Sequence, residues 1–426
     1  MSLVSVAPSS PSDLRRRDEI LDTAAQLFAS QGLRTSLQEI ADACGIQPGS
    51  LYHHFESKEA IVVELIARYH GEVDRLAQAR RFDDGVSDAS AARERLLQLS
   101  TAIAQCAARH SAAVQFTFYD PPGGASDELV RLARRPPDAL EATMRRTLEA
   151  GRKTGFIRSG LDLSVVSDRI CQTMLHVGLG LFHRYPAERV APVLCGILLD
   201  GLATDSPSNS QLDRSAALTA VKEVIKTWPK ADDPDPHDRA AVIHAAARSE
   251  FGRRGYEVTT VRDIAAAAGL GTGSVYRVIG SKEELLTSIM REFSDKAAAG
   301  WSAALGSDAT VVEKLDAVAW LQINVMERFY DEFKIQLAWL RQVPPDIPSI
   351  GWSFAAVMRR LKDELATGVR AGDVSIHGAS AGLTARCVLE MTWIPETIIR
   401  GVGKRNALVH ARDTLLRGVA VRRSRG

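Results

Sequence analysis

The sequence predicts an all-α protein built from two tandem copies of one helical unit. Three observations carry this. Apolar residues recur at three- and four-residue spacing along most of the chain, as in Ile20, Leu21, Ala24, Ala25, Leu27 and Phe28. The stretch beginning at Thr35 returns without a gap at Thr259, an offset of 224. Between the copies, Thr204–Leu212 and Trp228–Asp238 are rich in Ser, Asp and Pro, residues that interrupt helices and favour turns.

The 426 residues allow two or three ordinary domains. Lys and Arg number 53 against 52 Asp and Glu, so a uniformly basic coat for nucleic acid is excluded. A local basic face is not, because reading DNA takes only a handful of cations. No apolar run approaches the ~18 residues of a membrane span. The N-terminus has no apolar core followed by a cleavage site, so a cytoplasmic protein is expected. The five cysteines are scattered. No Cys-x-x-Cys occurs, and their spacing to histidines suggests no zinc site, so reduced, buried thiols are expected and no metal or cofactor is assigned.

In the first copy the opening apolar stripe ends at Gly32. Thr35 or Ser36 then caps a short helix carrying Leu37, Ile40, Ala41 and Cys44 on one face, and Gly45 stops it. A second short helix follows from about Gln47 to Phe55. The second copy repeats the plan with Thr259, Thr260, Val261, Ile264, Ala265, Ala268 and Gly269. Two short helices joined by a tight glycine turn, after a longer helix, describe a helix-turn-helix.

The second short helix opens on small residues, Pro48, Gly49 and Ser50 in one copy and Thr272, Gly273 and Ser274 in the other. Small side chains let backbone amides approach a phosphate. Tyr52 and Tyr276 can donate an O–H to the DNA backbone, and His53 and Arg277 follow where a side chain can meet a base edge. Gln47 and Gly271 precede each helix, and Lys58 and Lys282 open the next one within reach of a phosphate. Thr35, Ser36, Thr259 and Thr260 complete the candidate DNA-binding set.

Both copies resemble the TetR family of bacterial transcriptional repressors, on TSLQEIADACGIQPGSLYHHFESKE and TTVRDIAAAAGLGTGSVYRVIGSKE. The resemblance implies, for each copy, a three-helix DNA-binding domain followed by a helical ligand-binding and dimerisation domain. The expected division is 1–60 and 61–205 for the first copy, a linker with a helix over 206–236, then 237–284 and 285–426. The implied function is a repressor bound to a double-stranded DNA operator and released by a small effector, apolar or amphipathic. Such regulators act as homodimers, so the fused chain resembles a covalent pseudo-dimer, and a dimer of chains remains open. The copies differ. Tyr52-His53-His54-Phe55 keeps the family pattern, whereas Tyr276-Arg277-Val278-Ile279 does not, so unlike half-sites are expected.

Long amphipathic helices are expected over Ala60–Gln78, Ala91–Arg109, Asp138–Lys153, Leu163–Tyr185 and Ala187–Leu202. The second copy offers Glu283–Ala304, Val311–Leu340, Trp352–Val369, Ala379–Gly401 and Asn406–Val419. By resemblance, the last pair of each copy forms a four-helix bundle. A fainter echo at an offset of 217 pairs Gly151 with Gly368, Gly155 with Gly372 and Arg169 with Arg386. Leu212–Thr227 is either the last helix of the first copy or a linker. Candidate effector residues are Phe116, Tyr119, Met144, Met174, His176, Trp339, Trp352, Arg386 and Trp393, apolar or aromatic groups with a few polar ones to orient a ligand.

An enzyme is disfavoured and no catalytic residue is assigned. Gly269-Leu-Gly271-Thr-Gly273 follows a helix, whereas a nucleotide fingerprint follows a strand. Gly378-Ala-Ser380-Ala-Gly382 lacks the buried strand that a nucleophile elbow requires. A ligand-sequestering helical protein, or an activator, are the competing readings.

Overall fold

The computed structural model describes residues 11–32, 35–79, 86–121, 124–182, 184–228, 235, 237–340, 354–376 and 378–422. The first unit runs α1 (Pro11–Gln31), α2 (Leu37–Ala43), α3 (Pro48–His54), α4 (Lys58–Ala79), α5 (Ala89–Arg109), α6 (Ser111–Phe116), α7 (Asp127–Ala133), α8 (Asp138–Lys153), α9 (Leu163–Leu175) and α10 (Ala187–Asp200). Two short helices follow, α11 (Asn209–Asp213) and α12 (Ala216–Lys226). The second unit has α13 (Arg239–Arg254), α14 (Val261–Ala267), α15 (Thr272–Ile279), α16 (Lys282–Leu305), α17 (Val311–Arg328), α18 (Tyr330–Leu340), α19 (Phe354–Ala371), α20 (Ala381–Thr392) and α21 (Glu396–Ala411). Among the described residues, only two isolated β-bridges interrupt the helical pattern.

Each helix-turn-helix is closed by a small core of matched residues. Ile20, Ala24, Phe28, Ile40, Ala41, Leu51 and Phe55 are buried in the first unit. Ile243, Ala247, Phe251, Ile264, Ala265, Val275 and Ile279 take their places in the second. α2 and α14 both begin with a capping box, Ser36 with Glu39 and Thr260 with Asp263.

Three expected helices are broken. The stretch from Leu163 leaves α-helical form at His176 and continues as a 3₁₀ turn to Leu179. There α5 comes so close that a Cβ on Gly178 would lie 2.5 Å from the Ala107 carbonyl oxygen. Val311–Leu340 is split at Phe329 (φ −128°, ψ 41°). Ala379–Gly401 stops at Trp393, whose extended backbone leads into Pro395, a residue that cannot continue a helix. The expected helix from Asn406 is the second half of α21, which contains a non-helical Gly403 and ends in a π-helical turn, Arg412–Arg417.

The two units meet through reciprocal pairs at the offset of 217. The Leu202 amide donates to the Leu415 carbonyl at 2.9 Å, and Val419 to Leu198 at 2.9 Å. Thr204 donates to Asp373 at 2.8 Å, and Val421 to Phe156 at 2.7 Å. The bridges Ile157–Ala420 and Ala203–Val374 obey the same rule. Residue i of one unit thus meets residue j of the other, and j meets i, which is the signature of an isologous contact. At its centre Gly201 (φ +73°) and Gly418 (φ +76°) lie back to back, and a Cβ on either would sit 2.3 Å from backbone of the other strand.

Leu212–Thr227 divides at Arg214 and Ser215. α12 packs on α16 and α17 of the second unit. Asp213, at the end of α11, is tied to the second unit by Arg412, whose buried guanidinium also forms a two-pronged pair with buried Asp316 at 2.8 and 2.9 Å.

Gly201→Ala is expected to lower stability by about 2 kcal/mol or more, since it combines positive φ with a backbone clash. Urea unfolding should show a reduced midpoint, and an unchanged midpoint would contradict the back-to-back packing.

Candidate DNA-binding surface and effector cleft

The recognition helices α3 and α15 each bury one side and expose the other. Leu51 and Phe55 anchor α3, while Val275 and Ile279 anchor α15. On the opposite sides Tyr52 is 55% exposed and Tyr276 is 53% exposed. Each ring thus presents its hydroxyl and one face to solvent, where a phosphate or another outside partner can reach it. Gln47, Gly49, Ser50 and His53 are exposed beside Tyr52, with Pro48 half-buried. Gly271, Thr272, Gly273 and Arg277 are exposed beside Tyr276, with Ser274 half-buried. These two surfaces gather most of the residues expected to meet DNA.

Three of the others are placed inward. Thr35 and Thr259 are each 1% exposed, so neither hydroxyl is open to a phosphate. Thr35 Oγ1 donates to the Gly32 carbonyl at 3.1 Å, and Thr259 Oγ1 to the Gly255 carbonyl at 2.8 Å. Both hold the turn that precedes the scaffold helix. Lys282 is the third. Its ammonium donates at 2.8 Å to the carbonyls of both Tyr256 and Thr259 and lies 4.2 Å from the Tyr256 ring centre. Lys58 is half-buried near the Phe28 ring, and burial pulls its pKa below the usual lysine value. Ser36 and Thr260 are exposed, with their hydroxyls engaged in the capping boxes.

Sequence reasoning missed two positioning residues. Arg16 donates to the Cys44 carbonyl at the end of α2 at 3.0 Å. Arg17 donates to the His54 carbonyl at the end of α3, pairs with Glu64, and stacks over the Phe55 ring at 4.0 Å. One helix therefore closes the C-termini of the other two. The run Arg15-Arg16-Arg17 was the available signal. By the α1–α13 match, Arg239 stands where the first unit has Arg16, but Ala240 stands at the Arg17 position. α15 lacks that clamp, and Arg277 folds back onto Gly273 and Ser274 of its own helix.

Two hollows lie where the units meet. The larger, about 830 Å³, is lined from the first unit by Tyr69, Phe118, Tyr119 and His176, and from the second by Arg253, Lys334 and Trp393. The smaller, about 260 Å³, lies between Phe116, Tyr119 and Val62 on one side and Arg254 and Val258 on the other. Both include residues of α13 or its following loop, so the second helix-turn-helix forms part of their walls. The Asp120 amide donates to the Arg253 carbonyl at 2.9 Å and fixes that wall.

Four expected effector residues therefore line a hollow: Phe116, Tyr119, His176 and Trp393. His176 Nδ1 lies 2.7 Å from buried Glu390 across the unit boundary. Trp393 is 8% exposed, and its buried indole N–H has no hydrogen-bond partner. Met144 and Met174 are fully buried core and line neither hollow. Arg386 also lines neither. It donates to the Leu181 carbonyl at 2.9 Å and lies 4.9 Å from the Phe354 ring. Trp352 is outside the described residues, as is the side chain of Trp339.

Arg17→Ala should weaken DNA binding several-fold by loosening α3, while leaving the salt dependence of affinity unchanged, since no phosphate contact is removed. A fluorescence-anisotropy salt titration checks this. A slope lower by about one unit would make Arg17 a phosphate ligand instead.

The family model for bacterial regulatory proteins of the tetR family matches residues 20–65 and again 243–298. The HTH-type transcriptional repressor KstR2 of Rhodococcus jostii is 35% identical over 198 residues, covering 46% of this chain and 93% of that protein. The repressor of the same name from Mycobacterium tuberculosis is 36% identical over 160 residues, 35% of this chain and 74% of the relative. The solved structure of the ketosteroid transcriptional regulator KstR2 of Mycobacterium tuberculosis aligns over 44% of this chain and 93% of its own, at 31% identity and a TM-score of 0.34. Each relative has about the length of one unit. With its DNA-binding segment matched twice and a relative covered almost end to end, this chain belongs to the TetR family of bacterial regulatory proteins.

Proposed function

We propose that the protein is a ligand-responsive transcriptional repressor in which one chain does the work of a dimer. The observation that carries this is the reciprocal pairing at the offset of 217. It makes an isologous contact between two helix-turn-helix units of one chain, the relation that places two recognition helices on successive major grooves of an operator. No membrane-spanning helix occurs among the described residues, and a cytoplasmic site of action fits this role.

On this reading α3 and α15 enter the major groove, with Tyr52 and Tyr276 on the backbone and His53 and Arg277 toward base edges. The half-sites differ, because Gln47, Pro48 and His53 face Gly271, Thr272 and Arg277. The effector occupies the larger hollow. Its aromatic lining and its Arg253 and Lys334 suit an amphipathic molecule with an acidic end. Because α13 forms one wall, occupancy changes the seat of the second helix-turn-helix, and the differential affinity for the two arrangements releases DNA.

Light scattering of the purified protein should give the mass of one chain, and one chain should saturate one operator with two unlike half-sites in a footprint at physiological salt. An obligate dimer of chains would contradict the pseudo-dimer. Tyr52→Ala and Tyr276→Ala should each remove protection from one half-site. If Tyr276→Ala leaves the footprint unaltered, α15 serves the fold alone. Lys334→Met should keep operator affinity within about twofold and reduce release by acidic amphipathic ligands about tenfold, equivalent to one lost charged contact.

A further inference from the structure

Beneath the DNA-binding region of the first unit, α4 and α5 bring a carboxylate, a thiol and an imidazole together. Ligand atoms of Glu72, Cys106 and His110 all lie within 4.8 Å of one another. Cys106 and His110 are four residues apart at the end of α5, which puts them on one helix face. Glu72 reaches them from α4, with Oε2 2.7 Å from His110 Nε2, and also pairs with Arg109. Cys106 is buried, whereas Glu72 and His110 are 19% and 20% exposed, so an ion can enter from solvent and meet the thiol at the closed end.

The second unit shows what the fold itself asks of this place. α4 and α16 match at the offset of 224, which sets Lys296 against Glu72. α5 and α17 match at 219, which sets Val325 and Phe329 against Cys106 and His110. Contacts confirm the match. A Cβ on Gly151 would touch Ala92 of α5, and one on Gly368 would touch Val311 of α17. Tyr69 lies 6.1 Å from the His110 ring, and its mate Phe293 lies 5.8 Å from the Phe329 ring. The Lys296 ammonium sits 5.6 Å from the Phe329 ring, where the first unit has the Glu72–His110 pair. Trp228, which follows α12, packs on Phe329 as well. A lysine, a valine and a phenylalanine therefore satisfy the packing. A buried thiol also serves as plain core, so the telling feature is the juxtaposition: the first unit sets three zinc-type donor atoms within 4.8 Å of one another where the second unit has none.

We propose that Glu72, Cys106 and His110 of the first unit form a zinc site, with water as the fourth ligand. One thiolate, one imidazole and one carboxylate are the donor types zinc takes in tetrahedral sites, and a three-residue set leaves one position open. Binding replaces the thiol proton, which is released to solvent, and requires the neutral imidazole. The ion ties α4, which descends from the first helix-turn-helix, to α5 in the body of the unit. It lies beside Tyr69, which lines the larger hollow. It stabilises the chain by binding the folded form alone.

The test uses the whole 426-residue chain, stripped with chelator and titrated with cobalt as a spectroscopic probe and with zinc. One ion per chain is expected. Cobalt should give a near-ultraviolet thiolate charge-transfer band, and zinc should raise the melting temperature by several degrees. Cys106→Val, and Glu72→Lys with His110→Phe, install the residues the second unit already packs. Circular dichroism and operator binding show whether these variants fold. Folded variants should lose the band and the zinc-dependent rise. No band in the parent protein, a band that survives Cys106→Val, or an equal temperature rise in parent and variants would each overturn the site.

Discussion

Two glycines carry the arrangement of the whole chain. Gly201 and Gly418 end the last helical segments of their units with positive φ and press backbone against backbone. A side chain on either would separate them. Their contact lets the following residues exchange hydrogen bonds reciprocally, Leu202 with Leu415 and Val419 with Leu198. Around this axis two arginines do the same work from opposite sides. Arg169 donates to the Met391 and Trp393 carbonyls freed where α20 stops. Its mate Arg386 donates to the Leu181 carbonyl beyond α9. Each unit thus satisfies the broken helix end of the other, and a buried carbonyl without such a donor would be costly.

Fusion frees the two halves to diverge, because no single sequence has to serve both sides of the axis. α12 packs on α16 and α17 of the second unit. Arg17 clamps α3, while Ala240 leaves α15 without that clamp. α13 helps wall the hollows at the unit boundary and is held to the first unit through Asp120. The result is a nearly symmetric contact at the base with unequal environments above it. A larger hollow walled in part by α13 is a natural product of such inequality, as is a polar cluster in one unit at a place the other fills with a lysine, a valine and a phenylalanine.

Much of the DNA-binding half was legible. Gly45 and Gly269, the cap offered by Thr35 or Ser36 and the apolar positions at helical spacing are local signals, and local signals fix short helices. The glycine echo at 217 also pointed to the body of each unit. What the structure placed differently turned on burial, which the local pattern does not record. Thr35 and Thr259 are polar residues next to a DNA motif, but their hydroxyls turn to carbonyls of their own loops, and the Lys282 ammonium reaches back to the loop that follows α13. Met144 and Met174 have the composition of a pocket lining and the burial of a core. The breaks at His176, Phe329 and Trp393 fall inside apolar periodicity, marked by Gly178 and Gly180 at the first and Pro395 at the last, while nothing nearby marks the second.

By itself the sequence determined that the chain is helical, that it is duplicated, and where two helix-turn-helix elements lie, because caps, glycine stops and periodicity act within a few residues. It also determined that the copies differ along their second short helices, at the positions expected to meet DNA. Only the tertiary structure decided which unit claims α12, that Arg16 and Arg17 close the ends of α2 and α3, that the hollows form between units, and that Glu72 meets Cys106 and His110. Those outcomes depend on pairs separated by tens to hundreds of residues, and one chain's residue pattern carries no record of which distant side chains share a space.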